Sequence, residues 1–174
     1  MPNSKVAMIA ATTIATARLC TAGVDAEDLR WSQLPPLPDS LGVAGAFAGV
    51  SGGALLVAGG ANFPDKMPWA GGTKVWHGTV FALDKTNGPW RVTGKLPRPL
   101  GYGVSLTTKQ GVLCIGGSDA ERHYADVFLL VYSRGKLNVK SLPPLPVPLA
   151  NGAGALVGNL ACVPAGSQQP GAQS

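Results

Sequence analysis

Charge is scarce in this chain: only 13% of its 174 residues are charged, and only 6% are aromatic. Lys and Arg outnumber Asp and Glu by 14 to 9, but they are scattered from Lys5 to Lys140. No basic cluster forms, so the footprint of a nucleic-acid binder is missing. Histidine is limited to His77 and His123, 46 positions apart, without an HxxxH spacing or a cysteine partner. That pattern excludes a zinc site, and no other metal-ligand grouping stands out. There is no phosphate loop and no Gly-x-Ser-x-Gly elbow. Three cysteines make no disulfide framework. Cys114 and Cys162 stand at similar places in two repeats, each just before a glycine-bearing turn, and read as small buried apolar residues.

Long apolar runs are also missing. The longest, Val6 to Ala17, is too short to span a bilayer, and Arg18 follows it. Lys5 gives it a positive start and Val24-Asp25-Ala26 a small-x-small site. Residues 1–26 are therefore expected to be an export leader, carrying residues 27–174 to a periplasm or the cell exterior; Cys20 would leave with the leader.

Glycine and proline are what the chain has in plenty, 24 and 15 residues, beside 45% apolar residues. Disordered chains share the first feature but lack the second. Short strands joined by tight turns reconcile the two.

The chain repeats itself. Leu37-Pro38, Leu96-Pro97 and Leu145-Pro146 recur at gaps of 59 and 49 residues. A glycine-rich strand follows each, over 41–50, 100–107 and 149–157. A second strand then ends in glycine, at Gly59-Gly60, at Gly116-Gly117, and in altered form at Pro164-Ala165-Gly166. Third strands are expected over 79–84 and 125–130. Fourth strands carry Trp90, or Leu137 to Lys140, and Trp31, 59 residues before Trp90, marks a lone fourth strand over 29–34.

Gly-Gly, then a Phe- or Tyr-bearing strand, then Trp and Leu-Pro, resembles the kelch repeat of β-propellers. The fold expected from it is all-β, about two and a half four-stranded blades of an expected six. Such an arc leaves open strand edges, through which self-association is expected.

Strand direction alternates within a blade, so loops between strands two and three share one rim with the links from strand four to the next strand one. That rim collects Asn62, Asp65, Lys66, Lys74, His77, Arg98, Asp119, Glu121, Arg122 and His123. Loop 61–77 is long for a tight meander, and long loops on rigid scaffolds carry function. Taken singly, Lys66 and Lys74 read as surface residues. The opposite rim, at 84–88 and 108–111, reads as plain turns.

The segments Gly59 to Pro64, Leu96 to Gly103 and Gly116 to Tyr124 resemble the cyclically permuted mutarotase group of kelch proteins, related to N-acetylneuraminate epimerase, with this chain matching the N-terminal half. The resemblance implies cofactor-free interconversion of sialic acid anomers in an exported protein. One group must take the proton of the anomeric hydroxyl while another protonates the ring oxygen. Glu121 and His123 are the expected acid/base pair. Arg122 or Arg98 would hold the carboxylate that this sugar carries on its anomeric carbon, with Asn62 and His77 also on the ligand. A propeller module that binds a glycan or a protein without turnover, and an inactive arc, remain open alternatives.

Overall fold

The structure, a computed structural model, describes residues 30–171. The expected leader over 1–26 lies outside the described residues. Contacts divide the chain at Gln33, and the sheets and sites described below belong to the unit that starts at Leu34.

That unit is built of antiparallel strands. Strands β1 (Phe47–Ser51), β2 (Ala54–Ala58), β5 (Thr79–Leu83) and β6 (Arg91–Lys95) form one four-stranded sheet in the order β1-β2-β5-β6. The loop between β2 and β5 carries its own short pair, β3 (Ala61–Asn62) with β4 (Val75–Trp76), and a single 3-10 turn at Pro68–Ala70. Strands β7 (Val104–Thr108), β8 (Gly111–Ile115), β9 (Val127–Ser133) and β10 (Lys136–Leu142) repeat the plan as a second sheet, and β11 (Ala150–Val157) pairs with β12 (Leu160–Ser167). Two whole blades and a two-stranded sheet are thus present. The third strands expected over 79–84 and 125–130 are in place, as is the fourth strand around Leu137 to Lys140, while the one expected to carry Trp90 begins just after it, at Arg91.

Two expectations need correction. The first strands begin later than the apolar runs suggest, at Phe47 and Val104 rather than Leu41 and Leu100. Left-handed backbone at Gly42 (φ 67°), Gly45 (φ 66°) and Tyr102 (φ 62°) breaks each extended run. Residues 30–34 form no strand, and Trp31 is exposed. A strand exists by pairing, and none of the described strands pairs with that segment.

The blades pack face to face. Phe47 of β1 meets Phe128 of β9 edge-on, with ring centroids 5.8 Å apart. Around them Leu56, Val80, Leu100, Val112 and Leu130 are almost fully buried, so one core is shared by two sheets. Each such side chain contributes about 1.5–3 kcal/mol on leaving water. A second cluster of Val104, Leu106 and Ile115 packs toward Val163 of β12. Cys114 lies in the shared core, where burial pushes its thiol far up. Cys162 does not match it: β12 has one neighbouring strand among the described residues, and Cys162 is exposed.

The paired glycines form the joints between blades. The Gly60 N–H donates to the Leu100 carbonyl, and the Gly117 N–H to the Leu149 carbonyl, each at 2.8 Å. A Cβ on Gly59 would stand 2.2 Å from that Leu100 oxygen, and one on Gly116 2.1 Å from that of Leu149. The first glycine of each pair lets the next blade's Leu-Pro link approach; the second binds it.

Candidate functional site

The ends of the first strands are tied in series. Gly45, Tyr102 and Asn151 hold equivalent positions, with φ of 66°, 62° and 54°. The Tyr102 N–H donates to the Gly45 carbonyl, and the Asn151 N–H to the Tyr102 carbonyl, both at 2.7 Å. Gly45 suits this conformation, and a Cβ there would press into the Tyr102 ring at 2.6 Å. Tyr102 and Asn151 adopt it as L-residues with side chains, at a cost of about 1–2 kcal/mol each. The Tyr102 side chain meets the two-three loop of the preceding repeat at Lys74, and that of Asn151 meets Ser167 of β12.

Each two-three loop is closed at its base by a polar pair. In the first blade, the Asn62 Nδ2 amide donates to the Gly42 carbonyl at 2.9 Å, and Asp39 lies 3.5 Å away. The Asn62 Oδ1 is left to accept from His77 Nε2, at 2.8 Å. In the second blade, the Tyr124 hydroxyl donates to Asp119. Backbone bonds confirm the correspondence, since His77 N–H donates to Gly60 and Tyr124 N–H to Gly117. Burial works to raise the Asp119 pKa, but the Tyr124 hydroxyl and the amides of Glu121 and Arg122 outweigh it and hold it below the usual value.

Two guanidinium groups lie over the Tyr124 ring. Arg98 sits 4.5 Å and Arg122 5.0 Å from the ring centroid. Arg98 also pairs with Asp126 at 3.1 Å. Glu121 is exposed, and among the described residues its carboxylate makes no hydrogen bond or ion pair.

His123, equivalent to Trp76, is buried between the second blade and the β11–β12 sheet. The Ser167 hydroxyl donates to the Ala150 carbonyl and accepts from Asn151 Nδ2 at 3.1 Å, so it also accepts from His123 Nε2 at 3.0 Å. Nδ1 then carries a bare lone pair, buried without a partner among the described residues. Burial lowers the His123 pKa, so the ring is neutral near pH 7.

Lys74 departs most from its expected surface role. Its ammonium donates to the Tyr102 hydroxyl at 3.0 Å and lies 4.6, 5.3 and 5.7 Å from the ring centroids of Tyr102, Trp76 and Phe63. The expected rim thus resolves into three groups: Asn62 with His77, Lys74 with Tyr102, and Arg98, Arg122 and Asp119 around Tyr124. Glu121 joins none of them. Sequence reasoning missed Tyr124, Asp126, Asn151 and Ser167. Aligning the two loops from their Gly-Gly ends would have paired Asn62 with Asp119. Among the described residues, no group of His, Cys, Asp and Glu is arranged to hold a metal.

Residues 10–139 match the family model of N-acetylneuraminate epimerase. The chain belongs to that family. The N-acetylneuraminate epimerase of Haemophilus influenzae (strain PittEE) is 37% identical over 130 residues, covering 66% of this chain and 34% of that protein. The N-acetylneuraminate epimerase of Salmonella typhi is 44% identical over 112 residues, covering 56% and 29%. The solved structure of YjhT superposes with a TM-score of 0.56 at 30% identity, over 64% of this chain and 34% of that one. The chain therefore spans about a third of the length of the N-acetylneuraminate epimerases it matches. Its sheets are part of a kelch-type β-propeller, as the repeats predicted.

Proposed function

We propose that the protein interconverts the α and β anomers of N-acetylneuraminate at the rim formed by the two-three loops. The observation that carries this reading is the family match, which includes every one of Asn62, His77, Arg98, Glu121, Arg122 and His123. The chemistry asks for no cofactor. A base takes the proton of the anomeric hydroxyl, an acid protonates the ring oxygen, and the ring carbon–oxygen bond opens to a ketone that recloses on its other face. Glu121 and His123 are the proposed acid/base pair, and His123 can serve only once its ring turns away from Ser167, because Nε2 is bound there and Nδ1 is buried. Asn62 and His77 would orient the sugar, and cations of the rim would hold its carboxylate. The leader pattern supports action in a periplasm or outside the cell.

The test follows anomer exchange by proton NMR, starting from freshly released α-anomer. Acceleration over buffer is expected, with Glu121→Gln and His123→Ala each lowering it by about 100-fold. Unchanged exchange in both variants sinks the assignment of the pair. Retention of labelled sialic acid without acceleration points instead to a glycan-binding module.

A further inference from the structure

The carboxylate of the ligand needs a cation that is not already neutralised, and the rim's cations differ in this respect. Arg98 pairs with Asp126; Arg122 makes no ion pair but is exposed on Tyr124, with Asp119 and Glu121 close enough to act on its charge. Among the described residues Lys74 has no acidic partner. It is nevertheless held in place, half-buried, by three rings and one hydroxyl. A fixed ammonium shielded from water attracts an anion more strongly than a solvated one.

The space beside it has the right form. A cleft of about 460 Å³ is lined by Leu41 to Ala44, Asn62, Phe63, Met67, Lys74 and Tyr102. Its walls are mostly apolar, with a few polar groups among them, as in small-ligand sites. Asp39, nearby, is engaged by the Leu41 N–H and the Asn62 amide.

The backbone contributes as well, through a left-handed conformation shared by the equivalent residue of each repeat. Tyr102 keeps a left-handed conformation that its counterpart Gly45 takes freely. Strain of this kind collects at ligand clamps. It places the Tyr102 hydroxyl on Lys74, and because that oxygen accepts from the ammonium, its own proton remains for a ligand.

We infer that the Lys74–Tyr102 cleft is an anion subsite that seats the carboxylate of a sugar acid, one oxygen on the ammonium and the other on the tyrosine hydroxyl. The inference rests on the proposed function for its ligand class, and it moves the anchor from the arginines to Lys74.

The experiment uses the full chain with its lysines ¹³C-labelled at Cε, titrated with N-acetylneuraminate, with its methyl ester, and with pyruvate as a plain carboxylate. The Lys74 resonance is expected to move with the acid and not with the ester. Lys74→Met should weaken the acid at least ten-fold and leave the ester unchanged; Tyr102→Phe should weaken it less. Wild-type binding is read without any variant, so a misfolded substitution does not decide the matter. If the acid binds and Lys74 neither shifts nor matters, the subsite is wrong and the proposed function stands. If pyruvate moves Lys74 and sialic acid does not, the subsite stands and the substrate reading falls. If no carboxylate moves Lys74, the subsite is overturned.

Discussion

Gly59 and Gly53 both have positive φ, 67° and 80°, yet they sit in different surroundings. A Cβ on Gly59 meets the Leu100 carbonyl, whereas one on Gly53 meets nothing within 4 Å. Gly53→Ala should therefore cost only backbone strain, about 1 kcal/mol. Gly59→Ala adds a collision with the blade joint and should cost more than twice that, read as a shift in urea midpoint. The role of these glycines was legible, because Gly-Gly recurs at a fixed place in each repeat. His123 shows the limit of such reading: its burial depends on Ser167, 44 residues later. That burial gives a prediction with a definite sign. The unfolded imidazole takes its proton near pH 6.5, the folded one at lower pH. The unfolded state then binds more protons in between, so the His123 contribution is full above about pH 6.5 and is lost as pH falls toward the folded pKa. Thermal midpoints at pH 8, 6 and 5 should fall in that order, and His123→Gln should flatten the trend. Asp119, held below the usual carboxylate range, adds a separate loss at still lower pH.

Within a blade, Phe128 on β9 is the element-scale counterpart of those joints. It is buried against Phe47 of the neighbouring sheet, so the packing of two sheets runs through one ring. Phe128→Ala should destabilise the fold by about 3–5 kcal/mol, and both blades should melt together in a single calorimetric transition. Separate transitions would show that the blades are independent. Strand identity could be read from the place of each apolar run in the repeat, as in Thr79 to Leu83. Strand starts could not, because an apolar run such as Leu41 to Ala46 does not announce the left-handed residues within it. Loop 61–77 was recognisable as important by its length alone. That Lys74 would reach Tyr102 in the next blade depended on how the loop folds back, through β3, the Pro68–Ala70 turn and β4.

For the molecule as a whole, the exposed surface of the β11–β12 sheet is the feature with the largest consequence. Beyond β11, no described strand pairs with β12, and Leu156, Val157 and Leu160 are exposed at the hairpin. An unpaired edge with apolar side chains recruits another edge, and a second copy of the chain offers one. Sedimentation should show mass rising with concentration. Leu160→Lys, which puts a charge on the exposed end of β12, should return the chain to monomer. The sequence did reveal the blade count here, because each blade carries its own Leu-Pro and glycine marks. The groupings on the rim were hidden, because they join residues from different repeats at distances set only by blade packing.

The order of the strands bears on how the chain is made. Within each blade, β1 to β6 and β7 to β10 pair with near neighbours in sequence, so a growing chain can complete one sheet before the next has been synthesised. The first sheet is whole once Lys95 has emerged, but its Gly60 amide finds its acceptor only when Leu100 follows. Synthesis therefore sets the sequence of assembly: each blade is formed by its own residues and locked by the first few of the blade after it.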